Sequence, residues 1–315
     1  MYALKLNTVT RTQGNNQDLK NGSVLPVGFE FEFEEVPVLI DAFRRMVRGL
    51  EFDICEMALT TYLSAREHGK AMTALPIFLV RAFHHGAILV NRHAGITHPK
   101  DLEGKRVGVN RGYTVTTGLW ARSILQHQYG VDLSKITWVL SGDEHVAEFR
   151  PPANVVPIDA GRDMAEMVSS GELAGAIGVD VHAEHVGPLI EGAEQAGFAA
   201  FKATGHYPIN HLVVVRDEVL AAHPKIGPAI FAAFAESKRR YVGRLRAGVI
   251  TKPTAVDEMH RRVMQITGED PLPYGVAPNR RMLDMAIHSA HEQGIIKRVP
   301  KLDELFPLNT LSLRG

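Results

Sequence analysis

Strand-like and helix-like segments alternate along this chain almost from end to end. That pattern restricts its fold more than any other feature, because it is the signature of layered α/β architecture. Residues 2–9 and 28–33 read as strands, and 38–48 reads as a helix with Leu39, Phe43, Met46 and Val47 on one face. The run Phe52 to Glu56 reads as a short buried strand entering a helix over 58–68. Further strands are expected at 73–80, 87–91, 107–109, 174–178 and 211–215, with helices near 116–129, 163–170, 228–247 and 282–293. A chain of 315 residues is too long for one ordinary core, so two lobes are expected.

Composition narrows the partners. Lys and Arg together number 35 and so do Asp and Glu, so no overall field draws nucleic acid or an acidic membrane surface. No apolar run reaches the length of a spanning helix, the longest being broken by Arg81, His84 and His85. The expected partner is therefore a small molecule, with no nucleic acid and no membrane, and a homo-oligomer is left open. The first residues lack the basic and apolar regions of a secretory signal, which predicts a cytoplasmic protein unless an export signal precedes them. Cys55 is the single cysteine, which rules out an intrachain disulfide and fits a reducing compartment. Its apolar surroundings predict a buried, inert thiol.

After the strand ending near Asn110, residues 111–116 form a loop that opens a helix. Gly112 permits a tight turn, while Thr114, Thr116 and Thr117 bring hydroxyls and backbone N–H groups to a helix N-terminus. Such a turn captures carboxylate or phosphate, or simply caps its helix.

The strand up to Val109, the threonine-rich turn and a late strand followed by long helices together resemble the type II periplasmic-binding-protein fold. That resemblance implies a two-lobed α/β chain, with 1–90 plus 207–315 forming lobe one, 91–206 forming lobe two, and the ligand held between them. A narrower likeness spans nearly the whole chain. Its segments are Phe52-Asp-Ile-Cys-Glu-Met57 with Thr61-Tyr62-Leu63, Leu75-Pro76-Ile77, Arg81-Ala-Phe-His84-His85, Leu102-Glu-Gly-Lys-Arg-Val-Gly108, Leu125-Gln-His-Gln-Tyr-Gly130 and Asp270-Pro-Leu-Pro-Tyr-Gly275. It resembles the 4,5-dihydroxyphthalate decarboxylase family of cytoplasmic enzymes, with Leu272 standing where an aromatic residue is expected. The implied activity is that of a carboxy-lyase converting 4,5-dihydroxyphthalate to protocatechuate, within phthalate degradation. The alternative is a non-catalytic solute-binding protein for a small aromatic or carboxylate anion.

Loss of a ring carboxylate as carbon dioxide leaves electron density on the ring carbon. The catalyst must deliver a proton there and help a para-hydroxyl become keto-like, which histidines near neutral pKa can do. The implied crossings between lobes place His84 and His85 on one side of the cleft and His206 and His211 on the other. Glu56 and Asp180, each at a strand end, are further candidates, and each also reads as a helix cap or surface residue. Arg81 and Arg111 are the expected carboxylate anchors, helped by Thr61, Thr114, Thr116 and Thr117. The chemistry requires no cofactor. Neither His84-His85 nor His182-x-x-His185 has the spacing of a metalloprotease helix, so no metal is expected, a catalytic divalent ion being the alternative.

Overall fold

The structure, a computed structural model, describes residues 4–315. Eleven strands occur among the described residues: β1 (Leu4–Val9), β2 (Phe29–Phe33), β3 (Ile54–Ala58), β4 (Met72–Arg81), β5 (Ile88–Asn91), β6 (Arg106–Val109), β7 (Thr137–Leu140), β8 (Val155–Pro157), β9 (Gly175–Ile177), β10 (Val186–Pro188) and β11 (Ile209–Arg216). Residues 2 and 3 of the first expected strand lie outside the described residues.

The strands form two sheets, ordered β2-β1-β3-β11-β4 and β10-β5-β9-β6-β7-β8. In the first, β1 pairs in parallel with β2 and β3, while β11 runs antiparallel to both β3 and β4. Covered on both faces, β3 is buried at every position and reads as a near-continuous apolar run. One face packs under the helix Leu39–Gly49, which buries Ala42, Phe43, Met46 and Val47, and the other under the long helix Ile226–Ala247. Cys55 sits wholly buried in β3, and burial pushes its thiol well up, in keeping with an inert role. No described helix is long and apolar enough to cross a membrane.

The chain leaves the first sheet at Arg81, enters the second at Ile88, and returns through residues 205–208 to β11. Behind the crossings the two halves are stitched together. Trp120 donates its indole N–H to the Ile209 carbonyl at 2.9 Å, and the Ser123 and Ser289 hydroxyls meet at 3.0 Å. In front, the chain direction decides what meets. Because β11 is antiparallel, His211 pairs with Ala58 at the carboxyl end of β3. The carboxyl ends of β6, β7 and β9 present residues 110–117, 141–145 and 178–180 from the second sheet. Open α/β sheets bind ligands at such strand ends.

The strands β7, β8 and β10 and the helices Ala193–Thr204 and Ala255–Thr267 are absent from the sequence reading. The missed strands are three or four residues long, too short to show a period of their own.

Candidate active site

At the centre of the first sheet, Glu56 and His211 lie on neighbouring strands with their side chains together. His211 Nδ1 is 2.7 Å from Glu56 Oε1. The carboxyl group is completely buried, and its other oxygen accepts the Arg11 backbone N–H at 2.9 Å and the Gln13 side-chain N–H at 3.5 Å. A buried carboxylate with no proton to give makes Nδ1 the donor, which leaves Nε2 as the working nitrogen. The imidazole is about one-fifth exposed, and Phe43 meets it edge to face at 5.3 Å.

The same phenyl ring meets a second imidazole, His145, at 5.9 Å. His145 comes from the loop after β7 and bonds through Nδ1 to the Thr61 hydroxyl of the first lobe at 2.8 Å. Its Nε2 is buried and has no hydrogen-bond partner among the described residues. Burial first, then Arg44, lowers His145 to about 4, so it is neutral at neutral pH. Arg44 and Arg48, one helical turn apart, both bind the Asp143 carboxylate at 2.8 Å. Arg48 also reaches the Glu144 and His145 carbonyls, so the helix 39–49 grips the tip of the opposing lobe.

Arg111 stands at the end of β6 with φ of 70°, one of two non-glycine residues in the left-handed region among those described. Its backbone is pinned there by Ser141 Oγ, which accepts its N–H at 2.7 Å, and by the Gly142 N–H on its carbonyl. Such a conformation costs about 1–3 kcal/mol and persists where the surroundings over-determine it. The guanidinium pairs with no carboxylate among the described residues, and partial burial beside Arg44 holds its pKa below the usual value. It is a cation without a carboxylate partner among the described residues, at the carboxyl end of β6.

The threonine-rich turn is an anion site whose anion is built in. Glu144 inserts its carboxylate there, accepting the Tyr113 and Thr114 N–H groups at 2.5 and 3.1 Å and the Thr114 hydroxyl at 2.6 Å. A Cβ at Gly112 would lie 2.6 Å from Glu144 Oε2, so only glycine admits it. Thr114 is thus occupied by the protein's own carboxylate and does not hold a ligand. Thr116 is likewise engaged, its hydroxyl meeting that of Thr60 at 2.7 Å across the lobes. Thr117 stays half-buried beside Gly178.

Three expectations are corrected by burial and connectivity. Arg81 is buried beside the hinge, bonded to the Tyr207 carbonyl at 2.8 Å and to Asn279 Oδ1, so its fork is spent on the fold and anchors no ligand. His84, His85 and His206 gather behind the crossings. His84 bonds Asn210 at 3.1 Å, His85 bonds Gln128 at 2.9 Å, and His206 lies edge-on to Trp120. Burial lowers His84 and His206 to about 4 and also lowers His85, so none is a cation ready to give a proton at neutral pH. Asp180 is exposed beyond β9 and bonds none of the other candidates. Sequence reasoning missed His145, Phe43, Arg44 and Glu144 as site residues. Its signal was the polar run Ser-Gly-Asp-Glu-His at the end of a strand too short to be recognised. No three His, Cys, Asp or Glu side chains converge as metal ligands among the described residues.

The family model described as NMT1/THI5 like matches residues 51–233. Among solved structures, the desulfurization enzyme DSZB in complex with biphenyl-2-sulfinic acid superposes with a TM-score of 0.57 at 12% identity, covering 98% of each chain. The periplasmic aliphatic sulphonate binding protein SsuA from Escherichia coli gives 0.53 at 11% identity, over 96% of this chain and 91% of that one. These likenesses show the type II periplasmic-binding-protein-like fold. A 4,5-dihydroxyphthalate decarboxylase from Pseudomonas putida is 34% identical over 146 residues, 44% of this chain and 56% of that one. Its counterpart from Comamonas testosteroni is 31% identical over 282 residues, 84% of this chain and 85% of that one. A likeness at that identity over most of both chains means that this protein belongs to the 4,5-dihydroxyphthalate decarboxylase family.

Proposed function

We propose that the protein is a carboxy-lyase that converts 4,5-dihydroxyphthalate to protocatechuate in the cleft between the two sheets. The observation that carries the chemistry is the Glu56–His211 pair, a buried carboxylate 2.7 Å from an imidazole whose other nitrogen is left to work. The family relation supplies the substrate.

In this reading Arg111 binds the carboxylate that is retained. His145 Nε2 accepts the proton of the hydroxyl para to the departing carboxylate, raising electron density on the carboxylated carbon. His211, doubly protonated and stabilised by Glu56, delivers its Nε2 proton to that carbon. The carbon–carboxylate bond then breaks, its electron pair returns to the ring, and carbon dioxide leaves. The phenolic oxygen recovers its proton from His145, and His211 is recharged from solvent, so one proton is consumed per turnover. Each acid–base group contributes on the order of 10² to 10⁴. The reaction is proposed to run on these side chains without an electron-sink cofactor, and the phthalate-degrading, cytoplasmic setting is part of the same proposal.

Purified protein supplied with 4,5-dihydroxyphthalate should release carbon dioxide and protocatechuate in equal amounts. In heavy water one deuterium should appear at the vacated ring carbon. Finding neither product would remove the reading and leave a binding protein.

The anchor has its own expected result. Arg111→Met should raise KM by about tenfold to a hundredfold, the worth of one charge-assisted hydrogen bond, with kcat changed far less. Arg111→Lys should recover only part of it, because an ammonium cannot form the planar fork. An unchanged KM in Arg111→Met would place the retained carboxylate elsewhere.

A further inference from the structure

A second concavity of about 540 Å³ lies between the loop 11–17 and the helices 226–247 and 255–267. Its floor is a chain of three buried polar side chains. Tyr241 donates its hydroxyl to Asp257 Oδ1 at 2.5 Å, and the Tyr241 hydroxyl oxygen lies 2.9 Å from His260 Nδ1. Tyrosine has one proton and has given it to the carboxylate, so His260 Nδ1 must be the donor to Tyr241. His260 Nε2 is therefore a lone-pair acceptor, and it makes no hydrogen bond to a described residue. The Thr254 backbone and hydroxyl hold Asp257 from its other side, fixing the direction of the relay.

The lining includes a second acceptor. Asn15 lines the same cavity, is 2% exposed, and leaves Oδ1 buried without a partner among the described residues. The rim carries the exposed cations Arg11 and Lys252, neither paired with a carboxylate among the described residues, whereas Arg244 is tied to Asp18. Glycine at position 14 is what lets the loop close on this wall, since a Cβ there would lie 2.3 Å from the Tyr241 ring. An imidazole nitrogen and a buried amide oxygen that lack donors, in a cavity that also carries two cations without carboxylate partners among the described residues, describe the complement of one kind of molecule.

We infer that this concavity is a second binding site for a small organic anion bearing a hydroxyl, its carboxylate on Arg11 and Lys252 and its hydroxyl donated to His260 Nε2 or Asn15 Oδ1. The site reaches the cleft through the chain itself. Arg11 and Gln13 line the concavity, and the Arg11 N–H and Gln13 side chain are the groups that hold Glu56 Oε2. An occupant that pulls on Arg11 therefore acts on the carboxylate that orients His211. The inference does not depend on decarboxylation, and its test reads binding alone.

The probe is 3-hydroxybenzoate, whose hydroxyl is meta to its carboxylate and so cannot assist loss of carbon dioxide. Calorimetric titration of the full chain should show two binding events. Arg111→Met should weaken the one in the cleft by about tenfold to a hundredfold and leave the other unchanged. Lys252→Met and His260→Phe should each weaken the other by about tenfold or more, as loss of a charge-assisted or buried hydrogen bond does. Benzoate, lacking the hydroxyl, should also lose about tenfold at the second site only. His260 is buried and its replacement can disturb the fold, whereas Lys252 is exposed, so that variant keeps the test decisive. A titration whose every event is unchanged in Lys252→Met, or equal for the two benzoates, would overturn the inference.

Discussion

His211→Asn is expected to lower kcat on 4,5-dihydroxyphthalate by about 10² to 10⁴, with substrate affinity kept within a few-fold. Asparagine retains an N–H that can bond Glu56, so the pocket keeps its shape while losing the group that moves a proton. Glu56→Gln should fall by a comparable factor for a different reason. The amide has one oxygen for two jobs, since Glu56 accepts His211 on one side and the Arg11 N–H on the other. Whichever way the amide turns, His211 loses the charge that stabilises its doubly protonated form. The double variant should be no worse than the poorer single one, because the two act as a unit. The readouts are single-turnover rates, equilibrium binding of the unreactive 3-hydroxybenzoate, and a thermal melt as the control for folding. If both single variants keep kcat within about threefold, the pair is structural and the proton comes from elsewhere. A pure binding protein would show only changed affinity.

What could be read from the sequence divides along physical lines. The helix 39–49 was legible because it buries one face at a helical period, and the strands β3, β4 and β11 because each is a nearly continuous buried apolar run. Glu56 and His211 were both named as candidates, yet nothing in their spacing of 155 residues says that they touch. That follows only from β11 entering the sheet antiparallel beside β3, a matter of strand order that one-dimensional patterning does not carry. The threonine-rich turn illustrates the opposite case. It was read as either an anion-binding turn or a plain helix cap, and the anion it holds is the protein's own Glu144, thirty residues on along the chain and brought in by β7. Arg81 failed because a guanidinium beside a hinge reads alike whether it holds a ligand or a backbone carbonyl. Burial alone separates the two.

The buried histidines should govern how the protein responds to acid. His84, His145, His206 and His260 are each at most 4% exposed, and burial, the largest cause in every case, lowers each to about 4. In the unfolded chain each returns to about 6.5. Between those values the unfolded state holds protons that the folded state refuses, so folding stability is fully present above about pH 6.5 and falls as pH drops toward 4. One such proton is worth about 1.4 kcal/mol per pH unit, and four acting together give a slope of roughly 5 kcal/mol per unit near pH 5. Against a typical stability of about 5–15 kcal/mol, that slope is enough to remove most of it within about two units below pH 6. Urea midpoints taken from pH 7.5 down to 5 should therefore drop steeply, with the slope shallower by about one proton in His206→Phe if that variant folds. His206 suits the comparison because its Nε2 is buried without a described partner, so removing the ring polarity there costs no hydrogen bond at that atom. A urea midpoint that stays flat from pH 7 to 5 would mean that these imidazoles take up protons inside the fold. The His145 at the cleft would then be a cation below about pH 6.5, and turnover in that range would need a different acceptor for the phenolic proton.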